Sequence, residues 1–325
     1  MSTTRVSQWA RVLAAALLLV ACGGEEAAGP GTDDATTVVA DGGVPHVVVT
    51  MNVLADIVDV AFGELVEVDS VMPRGVDPHS FELSATAAER LTQADLIVVN
   101  GLNLEENVLP IVEAAAADGV PVFEVAPQVD PIAYGDIGLD DDTTMLDPHV
   151  WTDVSRMAAV PGLVAEALIA AAGLEEDAAA ILSERAAGAQ ADLLALDAEV
   201  EQLLADIPSQ RRKLVTNHHV FGYFAERYDF TVIGAVIPGG TTLASPSAAD
   251  LADLVAAIED AGVPTLFADA SSPTQLVDAL AAEADLEVEV VSLWTESLSP
   301  IGEGAETYEE MMRDNASRIA AGLGG

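Results

Sequence analysis

The sequence predicts an α/β protein of two lobes, each a mostly parallel four-stranded sheet flanked by helices, joined by a long rigid linking helix. Three observations predict it. Over residues 46–125, β-branched runs alternate with segments of helical period, the pattern of parallel strands connected by covering helices. Residues 153–206 carry no strand signal. Over 213–323 the alternation resumes.

The chain opens with "MSTTRVSQWARVLAAALLLVAC", in which Arg5 and Arg11 precede an apolar run over 12–21. This is a secretory signal, too short to span a membrane comfortably. Its end, "LVAC", resembles the bacterial lipobox, which implies that residues 1–21 are removed and that Cys22 is lipidated and becomes the N-terminus. Cys22 is the only cysteine, so no intramolecular disulfide forms and any transition-metal site must use nitrogen and oxygen donors. Residues 22–44, rich in Gly, Ala, Asp and Glu, read as a flexible tether of roughly 25 Å end to end.

The first lobe spans residues 45–153. "HVVVT" (46–50) is a buried strand, with His46 exposed where it begins. "NVLADIVDVAFG" is a helix, with Asn52 as cap and Gly63 as stop. "LVEVDSV" (65–71) is a strand, and "SATAAERLTQA" a helix with Thr86 and Glu89 at capping-box spacing. "DLIVVN" (95–100), "LEENVLPIVEAAAAD" and "PVFEV" (121–125) follow as strand, helix and strand. Residues 154–208 form a helical spine: one helix bent at Pro161, then one of roughly 32 residues and about 48 Å. The second lobe, 209–325, has strands at 213–216, 230–237, 264–269 and 286–293. Its helices fall at 219–228, after Ser247 and Asp250, in "TQLVDALAAEA", and in the C-terminal "AETYEEMMRDNASRIAAGL".

The net charge is −42 over 325 residues, and Lys213 is the only lysine. Such a polyanion repels phosphate backbones and excludes nucleic acid as a partner. The acidity reads as solubility in salty surroundings, where screening removes the self-repulsion. Asp140, Asp141 and Asp142 in the loop 127–146 read as a solvated acidic loop, with a weak cation collector as the alternative.

Only five histidines are present, and two follow the same dipeptide: "GVDPHSFE" places His79 and "LDPHVWTD" places His149. His218 begins a helix just after a strand. All three lie beyond strand ends, the edge at which open α/β sheets bind ligands, and two lobes facing along such edges make a cleft. Proline stiffens the backbone that presents each imidazole. Asp77 and Asp147 either accept N–H bonds within their turns or orient the imidazoles from behind. His219 is a surface residue or another such support.

"MPRGVDPHSFE", "LDPHVW", "NHHVFGYFAERY" and "WTESLSPIGEGAETYEEMMRDNASRIAAGL", with "LIVVNGLNLE", stand in the order seen in the zinc and manganese solute-binding lipoproteins of bacterial ABC importers. The chain resembles that family over residues 46–323. The resemblance implies a metal bound by His79, His149, His218 and Glu296, the last standing where the family usually has an aspartate. Three imidazoles and one carboxylate suit tetrahedral Zn2+, with Mn2+ the alternative, because manganese favours more oxygen and higher coordination. The resemblance further implies a monomer held by lipid on the extracytoplasmic face, in a periplasm or at a cell surface, serving a permease and its ATPase.

Two other classes are weaker. A zinc-dependent hydrolase keeps a coordination position for water, which four protein ligands remove, and the H-E-x-x-H, G-x-S-x-G and P-loop patterns are missing. An adhesion lipoprotein needs no four-ligand cleft. If the acidity is an adaptation to salt, the melting temperature rises between low and molar salt; an unchanged value refutes that reading.

Overall fold

The computed structural model describes residues 43–134, 144–237, 239–271, 277, 280–282 and 288–324. The signal segment, Cys22, nearly all of the tether, Asp140, Asp141, Asp142 and much of the helix expected in "TQLVDALAAEA" lie outside the described residues.

Two four-stranded sheets carry the fold, and both are parallel throughout. In the first, β1 (His46–Val49), β2 (Glu67–Ser70), β3 (Leu96–Val99) and β4 (Val122–Glu124) stand in the order β2-β1-β3-β4. In the second, β5 (Lys213–Thr216), β6 (Thr231–Ala235), β7 (Thr265–Asp269) and β8 (Glu289–Leu293) stand in the order β6-β5-β7-β8. The lobes thus repeat one topology, and in each the order reverses beside the first strand, which opens a crevice at the carboxyl edge.

The valine run of β1 shows why these segments are strands. Val47 and Val49 face one core, and Val48 faces another with Ile97 and Val99. A strand covered on both faces needs an unbroken apolar run. The helices α1 (Asn52–Phe62), α2 (Ala85–Leu91) and α3 (Leu109–Ala117) cover the first sheet, and α7 (Gly222–Tyr228) and α8 (Ala248–Ala261) the second. Ser247 and Asp250 make a reciprocal capping box at the start of α8, as expected.

Four local expectations are corrected. Met51, not Asn52, precedes α1, and Asn52 spends its amide elsewhere, as described below. The cap of α2 is Ser84, which accepts from Ala87 N, so Thr86 and Glu89 are interior. The spine breaks at Pro161 instead of bending: α4 (Val154–Met157) ends and α5 (Val160–Ala172) begins, with Pro161 in the first turn, where a missing N–H costs nothing. His46 is half-buried, its N–H on Asp95 Oδ2 at 2.8 Å.

The linking helix α6 (Glu176–Leu204) has 29 residues, about 44 Å. Leu182, Ala186, Leu193, Leu196, Val200 and Leu204 form its buried stripe. Asp197 ties it to the second lobe, accepting from Arg227 Nε at 3.0 Å and from the Tyr228 hydroxyl at 3.0 Å. Arg212 caps its end, donating to the carbonyls of Leu204 and Ile207. The last helix, α9 (Tyr308–Gly324), packs against α6. One continuous core joins both lobes, from Val47 and Leu96 through Trp151 and Leu196 to Phe267, Leu293 and Ile319.

Polar bonds also cross between the lobes. Asn52 Nδ2 donates to Pro73 O at 2.9 Å and to Ser297 Oγ at 2.8 Å, while Asn52 Oδ1 accepts from Leu298 N at 2.8 Å. Trp151 Nε1 donates to Thr295 O at 2.7 Å. Helix propensity alone favours Ala over Asn by about 0.5 kcal/mol. Asn52→Ala is nevertheless expected to cost about 2 kcal/mol, because it strands the buried Leu298 N–H and takes a donor from Ser297 Oγ and Pro73 O. Urea unfolding checks this; an unchanged or raised midpoint shows that these bonds do not hold the lobes.

Candidate metal centre

The four residues singled out in the sequence meet at one point. His79 lies in the loop beyond β2, His218 two residues beyond β5 and Glu296 three beyond β8. His149 stands at the foot of a hairpin whose legs are joined by the antiparallel bridge Ala133↔Leu146 and by Asp147 N on Ile132 O at 2.9 Å. One donor atom from each of His79, His149, His218 and Glu296 falls within 4.8 Å of all the others. None of the four is more than 1% exposed.

The spacings are those of a coordination shell. Nε2 of His149 is 3.3 Å from Nε2 of His79 and 3.3 Å from Nε2 of His218. Nitrogens at about 2.0–2.1 Å from a tetrahedral zinc are about 3.3–3.4 Å apart. Glu296 Oε1 is 2.8 Å from His218 Nε2 and 3.7 Å from His149 Nε2, and Oε2 is 4.0 Å from His79 Nε2. Neither carboxylate oxygen has a hydrogen-bond partner. A buried carboxylate in that state lacks a cation or a donor.

The two Asp-Pro turns do different work. Asp77 Oδ1 accepts the His79 backbone N–H at 2.9 Å, and its Oδ2 accepts from Ser80 Oγ at 3.0 Å and from Thr242 Oγ1 at 2.6 Å. It shapes the turn through these bonds, none of which goes to the imidazole. Asp147 Oδ1 takes both the backbone N–H of His149 at 2.9 Å and its ring Nδ1 at 2.6 Å. That bond places the ring proton on Nδ1 and leaves Nε2 with a lone pair aimed at the cluster.

Electrostatics favour neutral imidazoles. Burial, opposed by Glu296 and reinforced by the neighbouring rings, holds His79 down at about 4. Burial likewise keeps His149 well below and His218 below the usual histidine range. Burial raises Glu296 well above the usual carboxylate range, and Asp269, Asp77 and Asp147 add to that. Burial also pushes Asp147 up to about 7, against the His149 N–H and the Tyr134 hydroxyl.

Several supporting residues were not visible in the sequence. Glu105 is wholly buried and accepts from Thr50 Oγ1 at 2.6 Å, Asn100 N at 2.8 Å and Gly101 N at 3.2 Å. Asn100 Nδ2 in turn holds Pro148 O at 2.9 Å, next to His149. The segment "NGLNLE" was the available signal, but nothing in it said which side chain turned inward. Tyr223 of α7 donates to Asp147 O at 2.6 Å and accepts from Ile132 N at 3.2 Å, clamping the hairpin from the second lobe. Tyr134 places its hydroxyl 3.4 Å from His149 Nδ1. His219 is buried, not a surface residue, with its ring 6.5 Å from that of Tyr134.

This geometry can be set beside known proteins. The family described as zinc-uptake complex component A, periplasmic, matches residues 47–322. The chain belongs to this family. Its relatives divide between two metals. The zinc-binding protein TroA of Treponema pallidum is 32% identical over 288 residues, covering 86% of this chain and 89% of TroA. The manganese-binding lipoprotein MntA of Halalkalibacterium halodurans is 25% identical over 312 residues, covering 96% of each chain. The solved structure of the periplasmic zinc-binding protein TroA from T. pallidum aligns with a TM-score of 0.77 at 30% identity, covering 87% of this chain and 100% of that one. The family is thus one of metal receptors for ABC importers, and the two-lobed α/β fold is shared.

The unpartnered carboxylate makes a testable liability. Because the folded Glu296 carboxyl sits high, the stability it contributes is present in acid and lost as pH rises through its folded value. Glu296→Gln should therefore raise the stability of the metal-free protein at pH 8 by about 1–3 kcal/mol, and by less in acid. Denaturant unfolding at the two pH values checks this. A less stable variant at pH 8 means the carboxylate is already satisfied without a cation.

Proposed function

We propose that this chain is the extracytoplasmic receptor that captures a divalent transition metal, zinc in preference to manganese, and hands it to an ABC permease driven by an ATPase. His79 and His149 from the first lobe and His218 and Glu296 from the second are its ligands. The observation that carries the reading is the buried convergence of three imidazole nitrogens on a carboxylate with no donor of its own. Asp147 fixes the tautomer of His149, and Asp77 fixes the backbone of His79. Residues 1–21 act as the secretory signal and Cys22 as the lipid anchor; the protein works as a monomer. The lobes comprise residues 45–153 and 209–325, with 154–208 as the spine between them.

Zinc is preferred because the nitrogen spacings match a tetrahedral ion and the donor set is mainly imidazole. Manganese is the second reading, and one observation favours it: neither oxygen of Glu296 makes a hydrogen bond among the described residues, so both are open to a cation. A site this enclosed leaves no room for an organic substrate, which disfavours the hydrolase reading.

The binding chemistry also has a proton balance. The histidines are already neutral near pH 7 because burial lowers them, so they release little on binding. Burial holds the Glu296 carboxyl above its usual range, so any proton it carries must leave when a metal binds. Affinity should therefore fall with acidification by up to roughly tenfold per pH unit, through the carboxylate before the imidazoles. Calorimetric titration of the metal-free protein, in buffers of different ionisation heat, should show one-to-one zinc binding much tighter than manganese, with proton release per zinc that grows as the pH is lowered. His79→Ala should lose tight binding while staying folded. Comparable or tighter manganese binding overturns the choice of metal; no binding of either overturns the receptor reading.

A further inference from the structure

Residues 239–242 of the second lobe touch groups that stand behind His79 and His149, and the backbone of His219 beside His218. The Gly239 carbonyl accepts the N–H of His219 at 3.2 Å, immediately beside His218. A Cβ placed on Gly240 would fall 1.8 Å from the Tyr134 hydroxyl oxygen, so bare backbone is packed on that hydroxyl. This is the hydroxyl that lies 3.4 Å from His149 Nδ1. The Thr242 hydroxyl donates to Asp77 Oδ2 at 2.6 Å, and Asp77 Oδ1 holds the His79 N–H at 2.9 Å. None of these three contacts is with an imidazole. The contacts of Gly240 and Thr242 each lie one step behind one, and both cross between the lobes.

We propose that residues 239–242 are a positioning latch, which keeps His79 and His149 turned toward His218 while it rests on the first lobe and lets bound metal go when it lifts. Gly240 and Thr242 are its positioning residues. The inference rests on reading the cluster as a metal site. The physical reason is leverage. Lifting one short strip removes the Thr242 bond from Asp77 and the backing from Tyr134 together, so the supports of His79 and His149 loosen in a single motion while Asp77 and Asp147 keep their own bonds to the two histidines. Ser80 Oγ at 3.0 Å then remains as a side-chain partner of Asp77 Oδ2. Glycine is needed at 240 because any side chain would hold the strip off Tyr134.

The test is the zinc off-rate of the full chain, followed by stopped-flow chelator competition, with the visible spectrum of the cobalt-loaded protein as a probe of ligand geometry. Thr242→Val and Gly240→Ala should each release zinc about tenfold or more faster, the scale of one hydrogen bond to a charged acceptor. Both should alter the cobalt spectrum while the metal-free melting temperature stays near that of the parent. Thr242→Ser should restore the parent rate, and Leu243→Ala, at a residue 52% exposed, should leave it unchanged. The double variant should be less than additive if the two contacts act as one latch. Unchanged off-rates in both variants overturn the latch, as does a Thr242→Ser variant as fast as Thr242→Val. A parent chain that binds no zinc overturns the proposed function, and the latch with it.

Discussion

A carboxylate enclosed by protein, with neither oxygen hydrogen-bonded, is costly to fold around. Glu296 is in that state, and the rest of the architecture keeps it there. The strand orders put the carboxyl edges of both sheets at one place, and loops from β2, β5 and β8 and the hairpin beyond β4 bring their donors to that edge. Asn52, Trp151 and Tyr223 then fix those loops by bonds across the cleft. The arrangement sacrifices stability in the metal-free state for a pre-organised donor set, so that little ordering is left to be done on binding.

The same construction limits how the molecule moves. Receptors that close over a ligand by hinge motion have separate cores joined by flexible strands. Here a single apolar core passes from the first sheet through α5, α6 and α9 into the second, and α6 is fastened at its far end by Arg212 and at mid-length by Asp197. Large rotation of one lobe would tear that core. Exchange of a metal at the proposed site would therefore come from local motion of short loops at the carboxyl edges, where hydrogen bonds such as Thr242 to Asp77 cross between the lobes.

The sequence made the fold legible because two-sided burial requires continuous β-branched runs, and strands such as "HVVV" and "LIVV" have no other stable placement. It made His79 and His149 legible because a scarce residue was repeated behind the same Asp-Pro. Boundaries were less clear, for identifiable reasons. Asn52 looked like a cap because asparagine before an apolar helix usually is one, yet its partners, Ser297 and Leu298, are some 245 residues away. Glu105 and Tyr134 were invisible for a related reason. An acid in a helical stretch and a tyrosine in a loop read as surface residues until the folded chain supplies buried donors for them.

The overall charge of −42 and the buried site act on different scales. Diffuse surface acidity attracts any cation and is screened within about 10 Å at 0.1 M salt, so it cannot select a metal. Selection belongs to the donors. Three neutral imidazoles and one carboxylate leave a dication with one positive charge unbalanced. Asp147, bonded directly to the His149 ring, is placed to offset it. Burial alone disfavours that aspartate's charge, and a cation in the cluster restores it. The carboxylate behind the histidine and the carboxylate beside the metal thus depend on the same ion. Without it, both are buried groups held at the wrong pKa; with it, each becomes part of a compensated set.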